Sequence, residues 1–270
     1  MVFFPPCKIN LGLNILNKRP DGFHTIETCF YPVPWTDILE INHSEELTFS
    51  SSGNIIPGKA DENLCLKAYR LMQKEFNLPP VKIHLHKIIP TGAGLGGGSS
   101  DAAHTLRKLN EIFQLNISNE KLMRYATELG SDCAFFVQDK PMLGSGRGEV
   151  LTDITINLSG KFLVLVKPGI QVSTAEAYST VKPNQTASPL HSILTKHPLS
   201  EWKYVVKNDF EESVFEKHPE IQSIKEKLYD LGAIYASMSG SGSAVFGIFD
   251  SPINRAEYFA GLMKWSGTLE

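Results

Sequence analysis

The sequence predicts an α+β fold in two lobes, and three observations carry that prediction. Residues 81–89 alternate apolar and polar side chains, then run directly into a cluster of glycines and a helical stripe. A second apolar strand at 162–166 opens a later half in which strands and helices mix again. Neither an internal repeat nor a low-complexity linker interrupts the chain, and elements mixed in this way build α+β layers. The boundary is expected near residue 155, giving domains 1–155 and 156–270.

The elements follow in order. Strands at 8–16 and 23–33 flank the turn Arg19-Pro20-Asp21-Gly22. A helix at 62–76 turns Leu64, Ala68, Leu71 and Met72 inward. In the strand 81–89, Val81, Ile83 and Leu85 share one face and Lys82, His84 and His86 the other. The histidine pair has no third ligand nearby in sequence, and a solvent-facing strand accounts for it. After the glycines, Ala102, Leu106, Leu109 and Phe113 are spaced 4, 3 and 4 apart, a helical stripe with Ser99 or Ser100 as its N-cap. A helix at 118–129 is expected to stop at Gly130 in the left-handed conformation. Beyond the strand at 162–166 come a helix at 219–231 stopped by Gly232, strands at 233–238 and 244–249, and a closing helix.

The bulk composition excludes several classes. The 270 residues are 42% apolar and 20% charged, with a formal net charge of −3, so no broad basic excess invites nucleic acid. The opening Met1-Val2-Phe3-Phe4-Pro5-Pro6-Cys7-Lys8 lacks the basic start and long apolar run of a signal peptide. No stretch approaches the roughly 20 apolar residues of a membrane span. Cys7, Cys29, Cys65 and Cys133 are scattered without a CxxC pair, which favours reduced thiols in a cytoplasm over disulfides or a zinc site.

The chemistry concentrates at Pro90-Thr91-Gly92-Ala93-Gly94-Leu95-Gly96-Gly97-Gly98-Ser99-Ser100-Asp101. Five glycines within seven residues let the backbone take positive φ and approach a ligand closely. The helix that follows presents unpaired N–H groups and the positive end of its dipole, a setting for phosphates. Gly92, Gly94 and Gly97 match GxGxxG, but a dinucleotide loop should close the first βα turn of a domain and precede an acidic strand end. About 80 residues of other structure precede the strand that leads into this one. The Walker A pattern fails because Gly98 and Ser99 stand where Lys and Ser/Thr belong. A turn without a ligand stays open as the plain alternative.

A second small-residue cluster, Ser237-Met238-Ser239-Gly240-Ser241-Gly242-Ser243-Ala244, lies between two apolar strands, where it is either a simple turn or the other wall of one anion site. Lys8 and Asn10 share a face of an otherwise apolar strand, and Lys8 taken alone fits a solvated edge charge. Asp132, between a helix stop and the apolar run Cys133-Ala134-Phe135-Phe136-Val137, reads as a capping residue or as a partly buried carboxylate that needs a cation.

Taken together, these segments resemble the GHMP kinases, the superfamily of galactokinase, homoserine, mevalonate and phosphomevalonate kinases. Its three motifs occur in order as Lys8-Ile9-Asn10-Leu11, residues 90–101, and Ser239-Gly240-Ser241-Gly242. Pro20-Asp21-Gly22-Phe23-His24-Thr25 with Phe30, Gly130-Ser131-Asp132-Cys133, Gly146-Arg147-Gly148-Glu149 and Asn208-Asp209-Phe210-Glu211 resemble the branch whose acceptor is 4-diphosphocytidyl-2-C-methyl-D-erythritol, in the non-mevalonate route to isoprenoid precursors.

The resemblance implies a two-lobed fold, with an N-terminal domain like domain 2 of ribosomal protein S5 and a ferredoxin-like C-terminal domain. It implies ATP-dependent phosphorylation of the acceptor's 2-hydroxyl, with Asp132 as catalytic base and Lys8 as its partner. Pro90, Thr91, Gly92, Ala93, Gly94, Leu95, Gly96, Gly97, Gly98, Ser99 and Ser100 correspond to the triphosphate cradle, and Lys87 and Asn63 to positions near the nucleotide. His24 corresponds to the residue that hydrogen-bonds cytosine, Phe23 and Phe30 to stacking positions, and Asn10, Thr174 and Tyr178 to substrate contacts. Phe23 stands where tyrosine is the more frequent residue, keeping the stacking face without the hydroxyl. Mg²⁺ is expected with ATP, its protein ligands unassigned and Asp101 one option. Neither a nucleic acid nor a membrane is expected as partner, and both monomer and homodimer stay open.

Two other functions fit parts of the pattern. A mevalonate or homoserine kinase would share the loop and the Lys8–Asp132 pair but has no use for a histidine between aromatic rings. A non-catalytic nucleotide-binding protein has no use for the pair itself.

Overall fold

The computed structural model describes residues 1–179, 181, 183, 188–253 and 256–269. Packing divides the chain into two units, and it passes between them several times. The first comprises Met1–Lys8, Trp35–Thr91 and Gly96–Lys140, and the second Ile9–Pro34, Gly92–Leu95 and Pro141–Glu270.

In the first unit, the strand Val81–Lys87 pairs antiparallel with Ile38–His43 and parallel with Thr48–Gly53, while Val2–Phe3 adds to the far edge of Ile38–His43. Its alternation is as the sequence predicts: Val81, Ile83 and Leu85 are buried. His84 and His86 hydrogen-bond instead to Ser50 and Ser52 on the neighbouring strand. The helices Leu64–Phe76, Gly97–Ile112 and Asn119–Leu129 carry the remaining apolar stripes, with Ala68, Met72, Leu106 and Leu109 fully buried.

Two helix ends differ from expectation. The helix Gly97–Ile112 starts ahead of Ser99 and Ser100, and its N-cap is Gly96 in the left-handed region with no side-chain cap. Gly97 can join the helix because its missing Cβ leaves room: a methyl there would come within 2.9 Å of both Lys87 Nζ and an Ile89 methyl. Gly130 follows Asn119–Leu129 at φ 172°, extended backbone rather than the left-handed stop. The other end of that helix behaves as a standard cap, Ser118 Oγ accepting the Lys121 N–H.

In the second unit, the sheet order is Pro6–Lys18, His24–Thr36, Met142–Ser145, Val150–Asp153. The turn between the first two strands closes through Arg19 N–H to the Phe23 carbonyl, with Gly22 at φ 84°. The second sheet is antiparallel in the order Tyr235–Met238, Val245–Phe249, Phe162–Lys167, Met263–Thr268. The closing element is therefore a strand and not the helix expected. A single 3₁₀ turn, Ala256–Phe259, precedes it, and Met263–Thr268 then completes the free edge of Phe162–Lys167 through six paired positions. Pairing with an open sheet edge outweighs weak local preference in so short a segment. The apolar core of this unit gathers Val164, Val166, Phe210, Ile221, Leu228 and Phe249. Among the described residues no helix is long and apolar enough to cross a membrane.

Candidate active site

Lys8 departs from the usual fate of a strand lysine. The strand Pro6–Lys18 is buried from Cys7 to Ile15 without a break, and Lys8 itself is 3% exposed. Its Nζ lies 3.3 Å from Asp132 Oδ2, whose side chain is 33% exposed. The residues after Asp132 fix its position, since Cys133, Phe135 and Phe136 are fully buried and anchor the turn. A buried cation thus faces a carboxylate that solvent and a ligand can reach, the arrangement a general base requires. Next to it, burial pushes the Cys133 thiol up to about 12, with a Ser99 hydrogen bond only partly opposing that, so the thiol stays protonated.

The glycine run is pinned by Ala93 and Leu95, 2% and 1% exposed, with Gly92, Gly94 and Gly96 between and beside them at positive φ. In the second unit the two small-residue loops predicted to work together do meet. Ser239 Oγ donates to the Gly94 carbonyl at 2.9 Å, and the Ala244 N–H donates to the Ala93 carbonyl at 3.1 Å. Gly94 is obligatory there, because a Cβ would fall 1.9 Å from the Ser239 carbonyl oxygen and its φ of +74° is strained for other residues. Beyond the loop, the Gly97–Ile112 helix offers the unpaired N–H groups of its first turn to an anion.

Also in the first unit, a cavity of about 390 Å³ is lined by Phe49, Ile56, Pro57, Lys59, Asn63, Leu85, Lys87, Thr91, Gly98 and Asp101, among others. Asn63 and Lys87 are both on its wall, and each has structural work. Asn63 caps the helix Leu64–Phe76, its Oδ1 accepting the Cys65 N–H. The Lys87 ammonium bonds Asp101 Oδ2 at 2.7 Å and Asp37 Oδ2 more closely still. Burial disfavours its charge, yet Asp101 and Asp37 more than offset this and raise its pKa. The Asp101 carboxyl moves up, first through burial, with Lys87 opposing and Asp37 reinforcing. Asp37 was not anticipated from sequence. It is fully buried and its other oxygen accepts the N–H groups of Ile88 and Ile89 at 2.6 and 2.8 Å. The signal for an inward lysine was present, because Lys87 is in phase with Val81, Ile83 and Leu85.

In the second unit the His24 ring stacks on Tyr178, with centroids 4.7 Å apart and planes 14° apart. Tyr178 meets Phe210 edge-on at 4.8 Å. Burial and then Lys18 lower the His24 pKa, which keeps a neutral imidazole able to donate and accept. Phe23 is 54% exposed, with the Arg147 guanidinium 5.0 Å from its ring centre, a cation–π pair that no spacing in the sequence signals. Thr174 opens the short helix Thr174–Ser179 at the surface.

Phe30 does not serve as an open stacking face. It is 1% exposed, and a Cβ on Gly144 would fall 2.5 Å from its ring, so the aromatic ring fills core across a glycine. Asn10, 2% exposed, gives its amide to Thr28 Oγ1 at 2.9 Å and receives Ser239 Oγ at 3.3 Å.

Comparison with known proteins accords with this chemistry. The model for the GHMP kinases N terminal domain matches residues 63–140 and that for the GHMP kinases C terminal matches 193–260. A 4-diphosphocytidyl-2-C-methyl-D-erythritol kinase of Cytophaga hutchinsonii is 55% identical over 252 residues, covering 93% of each chain. The chain belongs to this kinase family. A crystal structure of 4-(cytidine 5'-diphospho)-2C-methyl-D-erythritol kinase superposes with a TM-score of 0.83 at 31% identity, covering 99% of this chain and 98% of that one. The Methanococcus jannaschii mevalonate kinase shares the GHMP kinase fold at a TM-score of 0.74 and 14% identity, over 100% of this chain and 98% of its own. The α+β GHMP kinase fold expected from the motifs is thus the fold observed.

Proposed function

We propose that this chain transfers the γ-phosphoryl group of ATP to the 2-hydroxyl of 4-diphosphocytidyl-2-C-methyl-D-erythritol. The observation that carries the reading is the buried Lys8 ammonium 3.3 Å from the reachable Asp132 carboxylate. An alcohol is a weak nucleophile at neutral pH, and a positioned carboxylate removes its proton as the oxygen attacks phosphorus. The new P–O bond forms as the bond to the β-phosphate oxygen breaks and ADP leaves. The proton on Asp132 then passes to solvent. Lys8 balances the carboxylate and the charge that develops on the reacting oxygens.

The remaining assignments rest on the chemistry of the residues. The N-terminal turn of the Gly97–Ile112 helix and the glycine run suit a triphosphate, and the cavity beside Asn63 suits the nucleoside. His24, neutral and backed by Tyr178, suits the hydrogen-bonding edge of cytosine, and Phe23 offers an open face for stacking. Asn10 and Thr174 complete the acceptor's contacts. The family models at 63–140 and 193–260 lie on either side of residue 155, which supports a two-domain ancestry divided there. Four buried, unbridged cysteines fit a reducing cytoplasm.

Among the described residues no group of three acidic, histidine or cysteine side chains gathers to hold a metal, and the Asp101 carboxylate is committed to Lys87. These residues do not form a magnesium cage, so no step is assigned to the metal.

A coupled ADP-release assay tests the proposal by comparing 4-diphosphocytidyl-2-C-methyl-D-erythritol with mevalonate and homoserine. The cytidylyl acceptor is expected to support the fastest turnover; faster turnover with either of the others overturns it.

A further inference from the structure

The segment Asn208-Asp209-Phe210-Glu211 takes no part in the proposed chemistry, yet three separate parts of the second unit end on it. Asn208 is 3% exposed, and its Nδ2 donates to two backbone carbonyls of the second small-residue loop, Met238 at 2.8 Å and Gly240 at 2.9 Å. Its Oδ1 accepts the Phe210 N–H at 3.0 Å, which sets the side chain's direction. Glu211 Oε1 accepts the Met238 N–H at 2.8 Å and the Ser237 hydroxyl at 3.0 Å, while Oε2 pairs with Lys225 at 2.6 Å. The loop is therefore held at both its start and its crest.

That loop in turn sets other groups. The Ser239 hydroxyl donates to the Gly94 carbonyl at 2.9 Å, with Asn10 Oδ1 a second acceptor in reach at 3.3 Å. The same segment reaches the strand that carries Asn10: the Leu13 N–H donates to the Lys207 carbonyl, the Asp209 N–H to the Leu13 carbonyl, and the Ile15 N–H to Asp209 Oδ2 at 2.7 Å. Finally, Phe210 meets Tyr178 edge-on, and Tyr178 stacks on His24.

We infer that Asn208 and Glu211 are positioning residues for the phosphoryl-transfer site: they hold the 237–240 backbone at the height at which Ser239 fixes Gly94 and Asn10. Neither touches the reacting atoms. Their effect runs through the loop, where a displacement of 1 Å costs on the order of 100-fold in rate. The inference rests on the proposed kinase activity.

Steady-state kinetics of the full chain with ATP and the cytidylyl acceptor test it, using Asn208→Ser, Glu211→Leu and Glu211→Gln. Serine can still accept the Phe210 N–H but is too short to reach both carbonyls, so kcat is expected to fall about 10- to 100-fold. The acceptor's KM is expected to change less than kcat, because only its Asn10 contact depends on the loop while the His24 subsite keeps its own contacts. Glu211→Leu is expected to behave the same way. Glu211→Gln keeps the Oε1 acceptor and loses both the charge and the Oε2 acceptor toward Lys225, a pair away from the loop, so it is expected to retain kcat within about threefold.

Wild-type kcat in soluble Asn208→Ser or Glu211→Leu overturns the inference. So does an equal loss in Glu211→Gln and Glu211→Leu, which would assign the effect to the ion pair. If one variant fails to fold, the other decides. Should the wild-type protein not turn over the cytidylyl acceptor, the functional reading falls by itself. The positioning role is then read from affinity for a non-hydrolysable ATP analogue, which Asn208→Ser is expected to weaken at least about fivefold and which unchanged affinity refutes.

Discussion

Replacing Lys87 by methionine tests whether that ammonium is structural or free to meet a phosphate. Lys87, Asp37 and Asp101 are 2%, 0% and 2% exposed. Lys87 is the cation bonded to both carboxylates. In the variant, Asp37 retains the N–H groups of Ile88 and Ile89. Asp101 retains much less, since its Oδ1 has no partner among the described residues. Removing one member of a buried ion pair costs about 3–5 kcal/mol. A chain of this size shifts by about 2–4 °C per kcal/mol, so Tm is expected to fall by about 6–20 °C. Differential scanning calorimetry at neutral pH reads the shift, and titration with a non-hydrolysable ATP analogue reads the affinity of the surviving folded protein. A Tm within about 2 °C of wild type, paired with a large loss of nucleotide affinity, would refute the reasoning and assign Lys87 to the phosphates.

Three further outcomes are expected from the same geometry. Asp132→Asn is expected to cut kcat by about 100-fold or more and to lower Tm by a few degrees, because the buried Lys8 ammonium loses the carboxylate charge 3.3 Å away; near-normal turnover in the ADP-release assay would remove Asp132 from its role. His24→Ala is expected to raise KM for the cytidylyl acceptor while leaving KM for ATP near its wild-type value, and equal effects on both would dissociate His24 from the cytosine subsite. Asp101→Asn should flatten the dependence of Tm on pH. The folded Asp101 carboxyl is pushed up to about 7, chiefly by burial, above the unfolded value of about 3.9. The native state therefore binds the extra proton between those values, and this contribution to stability is present below about pH 4 and is lost as pH rises through about 7. Identical slopes for wild type and variant between pH 5 and 7.5 would refute the shift.

Much of the site could be read from short-range chemistry. The glycine run had to be a close-approach loop, since no other residue type supplies so many positive-φ positions without strain. The meeting of the two small-residue loops was also anticipated, and Gly94 against Ser239 is its physical basis. Lys8 stood in an otherwise apolar strand, and Asp132 stood between a helix stop and an apolar run, where a buried carboxylate needs a cation. Phe30 shows the limit of the same logic. An aromatic residue at a stacking position in the motif can still be buried where a glycine across the sheet leaves room for its ring, as Gly144 does for Phe30.

By itself the sequence determined the residue types, their periodicity and the loop that must accept a close ligand, because these depend on neighbours within a few positions. The tertiary structure alone decided the partners. Asp37, 50 residues before Lys87, joins Asp101 in binding that lysine, making it one of three members of a buried ion cluster. Asn208 finds Met238 and Gly240 some 30 residues on. The last segment becomes a strand because Phe162–Lys167 has a free edge to fill. A buried charge or an open sheet edge is satisfied by whatever the fold brings through space, and no spacing rule along the chain encodes that choice.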